Sequence, residues 1–294
     1  VNQMHKLETL LERSDGLPSL PEIYIRVSEL LESDHSTVQQ IGKAIQTDPI
    51  LTGRILKMIN SAYYGLATPV TSVAQAVSLL GRQQLSQFLM GSVVAGVFSD
   101  AAIANFSMRE FWEHSVKTGI IARHLAMQNI HVIDHEAFFT AGLLHDLGRL
   151  VIARVAPDLV VEVERRKADS EMDELQLEAE LLGVTHVDVG EALMKKWGMP
   201  SLITQCVIRH HAEQHAGPFA MDTSIVFLAN LLSRYPVESD DEELLALLTT
   251  LANWEQTGCS LEQINIACQL ADEQWVEVMD LLGMSDGRPD REWL

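Results

Sequence analysis

The sequence is poor in basic residues. Only 21 lysines and arginines stand against 41 aspartates and glutamates in 294 residues, which gives a formal net charge of −20 at pH 7. Nucleic-acid affinity rests mostly on the neutralisation of phosphates by lysine and arginine, and an anionic membrane surface repels acidic proteins for the same reason. The composition therefore predicts that the protein contacts neither nucleic acid nor a membrane directly.

Long apolar runs and cysteine pairs are scarce as well. The longest apolar candidate, around 88–98, is interrupted by Gly91, Ser92 and Gly96, and it falls short of the roughly 20 residues that a bilayer-spanning helix needs. The three cysteines are odd in number and form no obvious disulfide framework. The first ten residues lack the pattern of a signal peptide. These features predict a cytoplasmic protein.

Apolar residues recur at helical spacing, and the alternation typical of strands is nearly absent, so we predict an all-α fold. Asp48 and Pro49 are typical of a helix N-cap and first helical residue, and that helix is expected to end near 64–65. Ser72 is expected to cap a helix that Gly81 ends. Further helices are expected around 109–129, 136–155, 173–182, 187–197, 201–211 and 223–234.

Two changes of composition divide the chain. A polar stretch with small residues covers 99–107, and beyond Arg234 there are 14 acidic residues against Arg288 and Arg291. We predict an N-terminal helical lobe over 1–106, a second helical lobe over 107–235 and an acidic helical extension over 236–294. The acidic run 239–243 is typical of a solvated helix start, and a docking surface for a basic partner is the alternative.

The residues most suited to chemistry are histidines and one aspartate on several predicted helices. A neutral imidazole nitrogen and a carboxylate oxygen both bind divalent transition metals. His114 shares a helix face with Phe111 and Ile121, and two histidines continue the apolar stripe of Val207. Any one of them could instead be satisfied by a backbone carbonyl or by solvent. Together they predict one polar cluster, which consists of His114, His145, Asp146, His186, His210 and His211.

The order of these residues resembles the HD phosphohydrolase superfamily, whose minimal metal-binding pattern is a histidine, a His-Asp doublet and a later aspartate. Several further segments resemble the HDOD subgroup in particular, and the resemblance extends over roughly 17–234. It implies a multi-helix HDOD architecture with an N-terminal helical lobe and an HD-like helical lobe. The matching segments are 17–21, 47–51, 56–62, 72–81, 141–148, 186–190, 197–200 and 210–211.

The chain departs from that pattern in two places. Asn230 stands where catalytic HD proteins have the last aspartate, and an asparagine offers only a neutral oxygen to a cation. The segment after His211 also lacks the Gly-Tyr-Pro element of the related HD-GYP phosphodiesterases. The resemblance therefore implies a degenerate metal site.

Three functions are open, and the resemblance implies the first. The first is a non-enzymatic bacterial signal-transduction module that acts through contacts with separate proteins, such as a response regulator, a kinase or a cyclic-dinucleotide enzyme. The second is a metal-dependent phosphohydrolase that uses iron, manganese or zinc, with Asp146 as its catalytic candidate. The third is a nucleotide sensor without turnover, in which Arg149 and Lys117 would contact phosphate. The first function requires no cofactor, although the cluster could hold a divalent metal.

Overall fold

The computed structural model describes residues 16–61, 66–98, 106–132, 134–169, 172–212, 216–234 and 241–284. Every regular element within these ranges is an α-helix, which confirms the predicted fold class. None of the described helices combines the length and hydropathy that a membrane span requires. The three cysteines are free thiols, and Cys206 and Cys259 are buried.

The chain divides into two compact units, of which the smaller contains the described parts of 20–100 and 276–294. Asp48 caps the third helix as predicted, since its carboxylate accepts a 2.9 Å hydrogen bond from the Leu51 amide. That helix ends at Ile59 instead of near 64–65, and residues 62–65 lie outside the described ranges. The helices are α1 (Glu22–Glu32), α2 (Val38–Ile45), α3 (Pro49–Ile59) and α4 (Val73–Val97), which is kinked at Gly81.

The larger unit contains the described parts of 1–19 and 101–275. Its last helix continues beyond Trp275 into the smaller unit. The helices are α5 (Met108–Met127), α6 (Glu136–Leu144), α7 (Leu147–Val155), α8 (Pro157–Asp169), α9 (Glu174–Leu181), α10 (His186–Lys196), α11 (Ser201–Arg209), α12 (Ala220–Leu232), α13 (Asp241–Thr250), α14 (Ala252–Thr257) and α15 (Leu261–Leu282).

The predicted domain bounds at 106 and 235 stay a prediction, because most of 99–107 and all of 235–240 lie outside the described residues. Among the described residues, 241–275 belong to the larger compact unit and 276–284 belong to the smaller one.

The helix prediction also needs correction near the site. The single helix expected over 136–155 is broken, because Asp146 leaves helical geometry with φ −102° and ψ 8°. Helix α8 is not among the predicted helices, since its sequence is dominated by charged residues and offers little apolar periodicity. The break matters for the site because it separates the side chains of His145 and Asp146 from a regular helix surface.

Glycines allow the helices around the break to approach closely. A Cβ atom on Gly142 would lie 2.6 Å from the Cα atom of Gly119, so α6 packs directly on the backbone of α5. A Cβ atom on Gly148 would lie 1.9 Å from the carbonyl oxygen of His186, so α7 packs directly on the start of α10. These contacts fix the segment that carries His145 and Asp146 against the helices that carry His114 and His186.

Candidate metal centre

The six predicted ligands lie together in the larger unit. His114 comes from α5, His145 and Asp146 lie between α6 and α7, and His186 is the first residue of α10. His210 and His211 directly follow α11. His145, Asp146, His186 and His210 are fully buried. Thr185 and Asp188 form a capping box that places His186 in the first turn of α10.

Asp146 stands at the middle of the cluster. Its Oδ2 atom lies 3.6 Å from His114 Nε2 and 3.4 Å from His145 Nε2. Its Oδ1 atom lies 3.5 Å from His186 Nε2 and 3.2 Å from His210 Nε2. We call the first group, with His114 and His145, the Oδ2 half, and the second group, with His186, His210 and His211, the Oδ1 half. Each half offers one ligand atom per residue at mutual distances under 4.8 Å.

The outer nitrogens of the rings are held by acceptors, so the inner nitrogens face the carboxylate. His145 Nδ1 lies 2.6 Å from the Gly142 carbonyl oxygen, and His210 Nδ1 lies 2.7 Å from the Val207 carbonyl oxygen. Because a carbonyl oxygen can only accept, each Nδ1 carries the proton and donates it. Glu178 fixes His186 in the same way, because its Oε2 atom lies 2.8 Å from His186 Nδ1. In neutral rings this arrangement leaves the Nε2 lone pairs pointing inward.

Burial sets the protonation of the cluster. Desolvation lowers the pKa of His210 to about 4, and desolvation together with His210 lowers the pKa of His211 to about 2. Desolvation, followed by the charge of His145, also lowers the pKa of His114 well below its usual range. Burial would raise the pKa of Asp146, but His145 and Arg149 outweigh it and hold that pKa well below its usual range. Three neutral rings and an ionised carboxylate are ligand states that a metal requires.

His186 differs from the other rings. Burial acts to lower the pKa of His186, but its hydrogen bond to Glu178, supported by the charge of Asp146, raises the pKa above its usual value. A metal ion at His186 Nε2 would compete with a proton there, so binding would release that proton.

The residues fit a divalent metal in the spacing of their nitrogens, in the lone pairs that face each other and in a carboxylate oxygen that lacks a hydrogen-bond donor. Inner nitrogens of His114 and His145 lie 3.1 Å apart, and His186 Nε2 lies 3.3 Å from His210 Nε2 and 3.0 Å from His211 Nε2. Ligands about 2.1 Å from one ion stand about 3.0 to 3.4 Å apart in octahedral or tetrahedral geometry. Facing lone pairs need a cation or a proton between them. Within the described chain, Asp146 Oδ1 is also a buried oxygen without a hydrogen-bond donor.

Asn230 packs beside the Oδ1 half. Its Nδ2 atom donates a 3.3 Å hydrogen bond to the His210 carbonyl oxygen. Its Oδ1 atom is buried and accepts no hydrogen bond from the described residues. Its role as the substitute for a ligating aspartate remains a prediction. One turn later, Ser233 Oγ lies 2.9 Å from His114 Nδ1 and positions that ring.

Sequence reasoning named Arg149 but missed the other charged side chains around the cluster. Arg149 Nη1 lies 3.3 Å from Asp146 Oδ2, and the same guanidinium pairs with Glu174. Lys167 Nζ lies 3.0 Å from the other oxygen of Glu174. Glu174, Glu178 and His186 also form a potential ligand group, but Glu174 is already neutralised by two cations. We therefore interpret these acids as support for His186 and Arg149 and not as a third metal site.

A cavity of about 610 Å³ opens against the Oδ2 half. Five glutamates and three cationic side chains line it, together with apolar residues. The cations are Arg149, Lys167 and Arg234, and the first two are paired with Glu174. Lys117, expected near the cluster, instead pairs with Glu113 at 3.0 Å and Asp272 at 2.7 Å. The cavity is therefore acidic overall.

Comparisons with known proteins agree with this architecture. The chain is 25% identical over 269 residues to an uncharacterized protein of Treponema pallidum, covering 87% of this chain and 52% of that one. It therefore spans about half the length of that relative. A crystal structure from Shewanella amazonensis, provisionally described as a phosphohydrolase, has a TM-score of 0.77 at 23% identity and covers 95% of this chain and 97% of its own.

A second crystal structure, from Marinobacter aquaeolei, is provisionally described as a signal transduction protein. It has a TM-score of 0.73 at 23% identity and covers 96% of this chain and 65% of its own. At these identities the two structures show a shared fold. The HDOD domain model matches residues 17–213, which is most of the chain. The chain belongs to the HDOD domain family, within the HD superfamily.

Proposed function

We propose that this protein is a metal-binding regulatory module of signal transduction, which acts through contacts with signalling proteins and not by catalysis. The observation that carries the proposal is the contrast between the cluster and the cavity beside it. The cluster presents neutral imidazoles and a buried carboxylate, as a divalent ion requires. The cavity carries more glutamates than cations, which disfavours a polyanionic phosphate substrate.

The ion would be held by Asp146, His186, His210 and His211, or by His114, His145 and Asp146. Histidine-rich sites of this kind suit iron, manganese or zinc. When bound, such an ion polarises its ligands and lowers the pKa of coordinated water. In the regulatory proposal the ion stabilises the folded larger unit. It would remove the repulsion between facing imidazole nitrogens, because it would be coordinated by side chains from several helices.

The partners in this proposal are signalling proteins that act in trans, such as a response regulator, a kinase or a cyclic-dinucleotide enzyme. The related Marinobacter fold, provisionally described as a signal transduction protein, supports this class of role. The formal charge of −20 favours basic protein surfaces over nucleic acid.

Phosphohydrolase activity is the second candidate, which the size of the cavity favours although its charge does not. Its volume of about 610 Å³ would admit a phosphate ester next to His114, Arg149 and Arg234. In that case Asp146 would hold the metal at the reacting centre. A nucleotide sensor has less support, because Lys117 is paired with Glu113 and Asp272 and Arg149 is paired with Asp146 and Glu174.

One experiment separates regulation from hydrolysis. The purified protein is loaded with Mn²⁺, Zn²⁺ or Fe²⁺ and freed of excess ion. Its metal content and its turnover of bis(p-nitrophenyl) phosphate are then measured, with Asp146→Asn as the site variant and the exposed Asp34→Asn as the matched control.

We expect wild type and Asp34→Asn to retain metal and Asp146→Asn to lose it, with turnover at background in all three. Turnover that disappears only in Asp146→Asn would replace the regulatory proposal by the hydrolase. Absence of metal from the wild type would reject the metal centre itself.

A further inference from the structure

The guanidinium of Arg234 covers the Oδ2 half of the cluster. Arg234 follows α12, and its Nη2 atom lies 3.3 Å from His114 Nε2 and 3.6 Å from Asp146 Oδ2. These are two of the three ligand atoms that the Oδ2 half offers to a metal. The arginine side chain therefore contacts the same atoms that an ion would use there.

The tautomer of His114 makes this contact a hydrogen bond. Ser233 Oγ lies 2.9 Å from both the Asn230 carbonyl oxygen and His114 Nδ1, and with its single proton directed to the carbonyl oxygen it accepts from Nδ1. The proton of a neutral His114 consequently lies on Nδ1, and its Nε2 atom carries a lone pair. A guanidinium has donors and no acceptor, so Arg234 donates to that lone pair. Ser233 and Arg234 are neighbours in sequence and hold the two nitrogens of one ring.

The two halves differ in their cations. Arg149 and Arg234 both approach Asp146 on its Oδ2 atom, at 3.3 and 3.6 Å. The Oδ1 atom faces His186 and His210, and it lacks a hydrogen-bond donor among the described side chains. Two arginines therefore already stand at the Oδ2 half, while the Oδ1 half presents an oxygen without a hydrogen-bond donor and three imidazoles.

We propose that Arg234 takes the place of a metal ion in the Oδ2 half, so that the chain binds a single divalent ion, in the Oδ1 half. This inference rests on the proposed metal centre and specifies its stoichiometry. A divalent ion in the Oδ2 half would repel the guanidinium at close range and would have to displace it from His114 and Asp146. Two-metal sites stabilise both the attacking and the leaving oxygen of a phosphoryl displacement, and a site with one ion cannot do so. A single ion therefore agrees with a regulatory role.

The test is the metal content of charge-neutral variants. Wild type, Arg234→Gln and Arg154→Gln are loaded with excess Mn²⁺, separated from free ion by gel filtration and measured by elemental analysis. Arg154 is an exposed arginine at the end of α7, so its variant controls for the loss of one positive charge. We expect about one ion per chain in wild type and Arg154→Gln, and about two in Arg234→Gln.

Two further variants locate the additional ion. The double variant Arg234→Gln, His114→Gln should return to about one ion, because it removes a ligand of the Oδ2 half. Arg234→Lys retains the positive charge and should stay at about one. The electron paramagnetic resonance of bound Mn²⁺ gives a second readout, since two ions that share Asp146 couple to each other and a single ion does not.

Each outcome separates the inference from the proposed function. Two ions in the wild type, or one ion in folded Arg234→Gln, would overturn the role of Arg234 and leave the metal centre standing. Two ions in the double variant would overturn the assignment to the Oδ2 half. No ion in any variant would overturn both the inference and the metal centre.

Discussion

The histidines of the cluster are oriented by two kinds of contact. His145 and His210 each donate from Nδ1 to the carbonyl oxygen three residues earlier, at the end of α6 and of α11. These bonds lie within a single helical turn, so each helix end orients its own ligand. His186 depends instead on Glu178 of another helix, whose Oε2 atom also accepts a 2.8 Å bond from the His186 amide. His186 is therefore the ligand whose orientation is most sensitive to a single distant substitution.

Glu178→Gln tests that dependence. The amide that replaces the carboxylate removes the negative charge that raises the basicity of His186. We expect metal affinity to fall about 10- to 100-fold, measured by isothermal titration with Zn²⁺, with helix content unchanged. Glu180→Gln is the matched control, because Glu180 is exposed and pairs with Arg166. An equal affinity in both variants would contradict the role of Glu178.

The buried imidazoles also predict a pH dependence of the metal-free protein. The pKa values of His210 and His211 are lowered to about 4 and about 2, whereas unfolded histidine titrates near 6.5. Below about pH 6.5 the unfolded chain binds more protons than the folded chain, so stability falls as pH falls toward about 4. Two rings that stay neutral over about two pH units below 6.5 imply a loss of up to about 5 kcal/mol between pH 7 and 4.5.

Denaturant unfolding of metal-free protein at several pH values measures this loss. His211→Gln should reduce the slope, because it removes one of the rings that stays neutral in the folded state. His131→Gln, at an exposed position, should leave the slope as in wild type. A stability that is constant over the range would show that these rings are not buried in the neutral form.

At the residue scale, ligand chemistry and the family resemblance selected His145, Asp146 and His186, and helical periodicity supported His114, His210 and His211. None of these signals could select Glu178, Ser233 or Arg234, because their roles depend on contacts between helices. Ser233 lies 119 positions from His114 in sequence, yet their side chains are 2.9 Å apart. A serine or an arginine at a helix end has no pattern that distinguishes it from an ordinary surface residue.

At the scale of elements, close helix packing at glycine positions the cluster. Gly148→Ala would bring a methyl group to 1.9 Å from the His186 carbonyl oxygen, where backbone has to move. We expect this substitution to lower the free energy of unfolding by about 2 kcal/mol or more and to weaken metal binding. Both effects are measured on one preparation, by urea unfolding and by titration with Zn²⁺.

Gly53→Ala is the control for a glycine in a helix without close neighbours. A Cβ atom at Gly53 meets nothing within 4 Å, so alanine should be neutral or stabilising by about 0.5 to 1 kcal/mol. Comparable destabilisation in the two variants would show that the α7 and α10 contact does not depend on a glycine.

The helices were largely predictable because their start signals are local. Asp48 and Ser72 cap α3 and α4 as the sequence predicts. The break at Asp146 was not predictable from periodicity, because the apolar residues on both sides continue a helical pattern. The backbone of Asp146 is non-helical at this break, and the Asp146 carboxylate there lies close to the imidazole rings of several histidines.

At the scale of the whole molecule, part of the acidic C-terminal region joins the unit that carries the cluster. Asp272 pairs with Lys117 of α5 at 2.7 Å, and Trp275 lies under the cations of Lys117 and Arg109 at 5.4 and 5.7 Å. The bound of the acidic extension predicted after 235 stays a prediction, because 235–240 lie outside the described residues. The contacts of Lys117 and Arg109 with α15 are tertiary contacts, and the numbers of acidic and basic residues in a segment cannot predict them.

The metal centre is tested most directly by the anomalous scattering of crystals grown with Mn²⁺ or Zn²⁺. We expect an anomalous peak about 2.1 Å from Asp146 Oδ1 and from the Nε2 atoms of His186 and His210. A well-ordered cluster without such a peak, in crystals whose solution contains the ion in excess, would contradict the claim that this fold retains a metal centre.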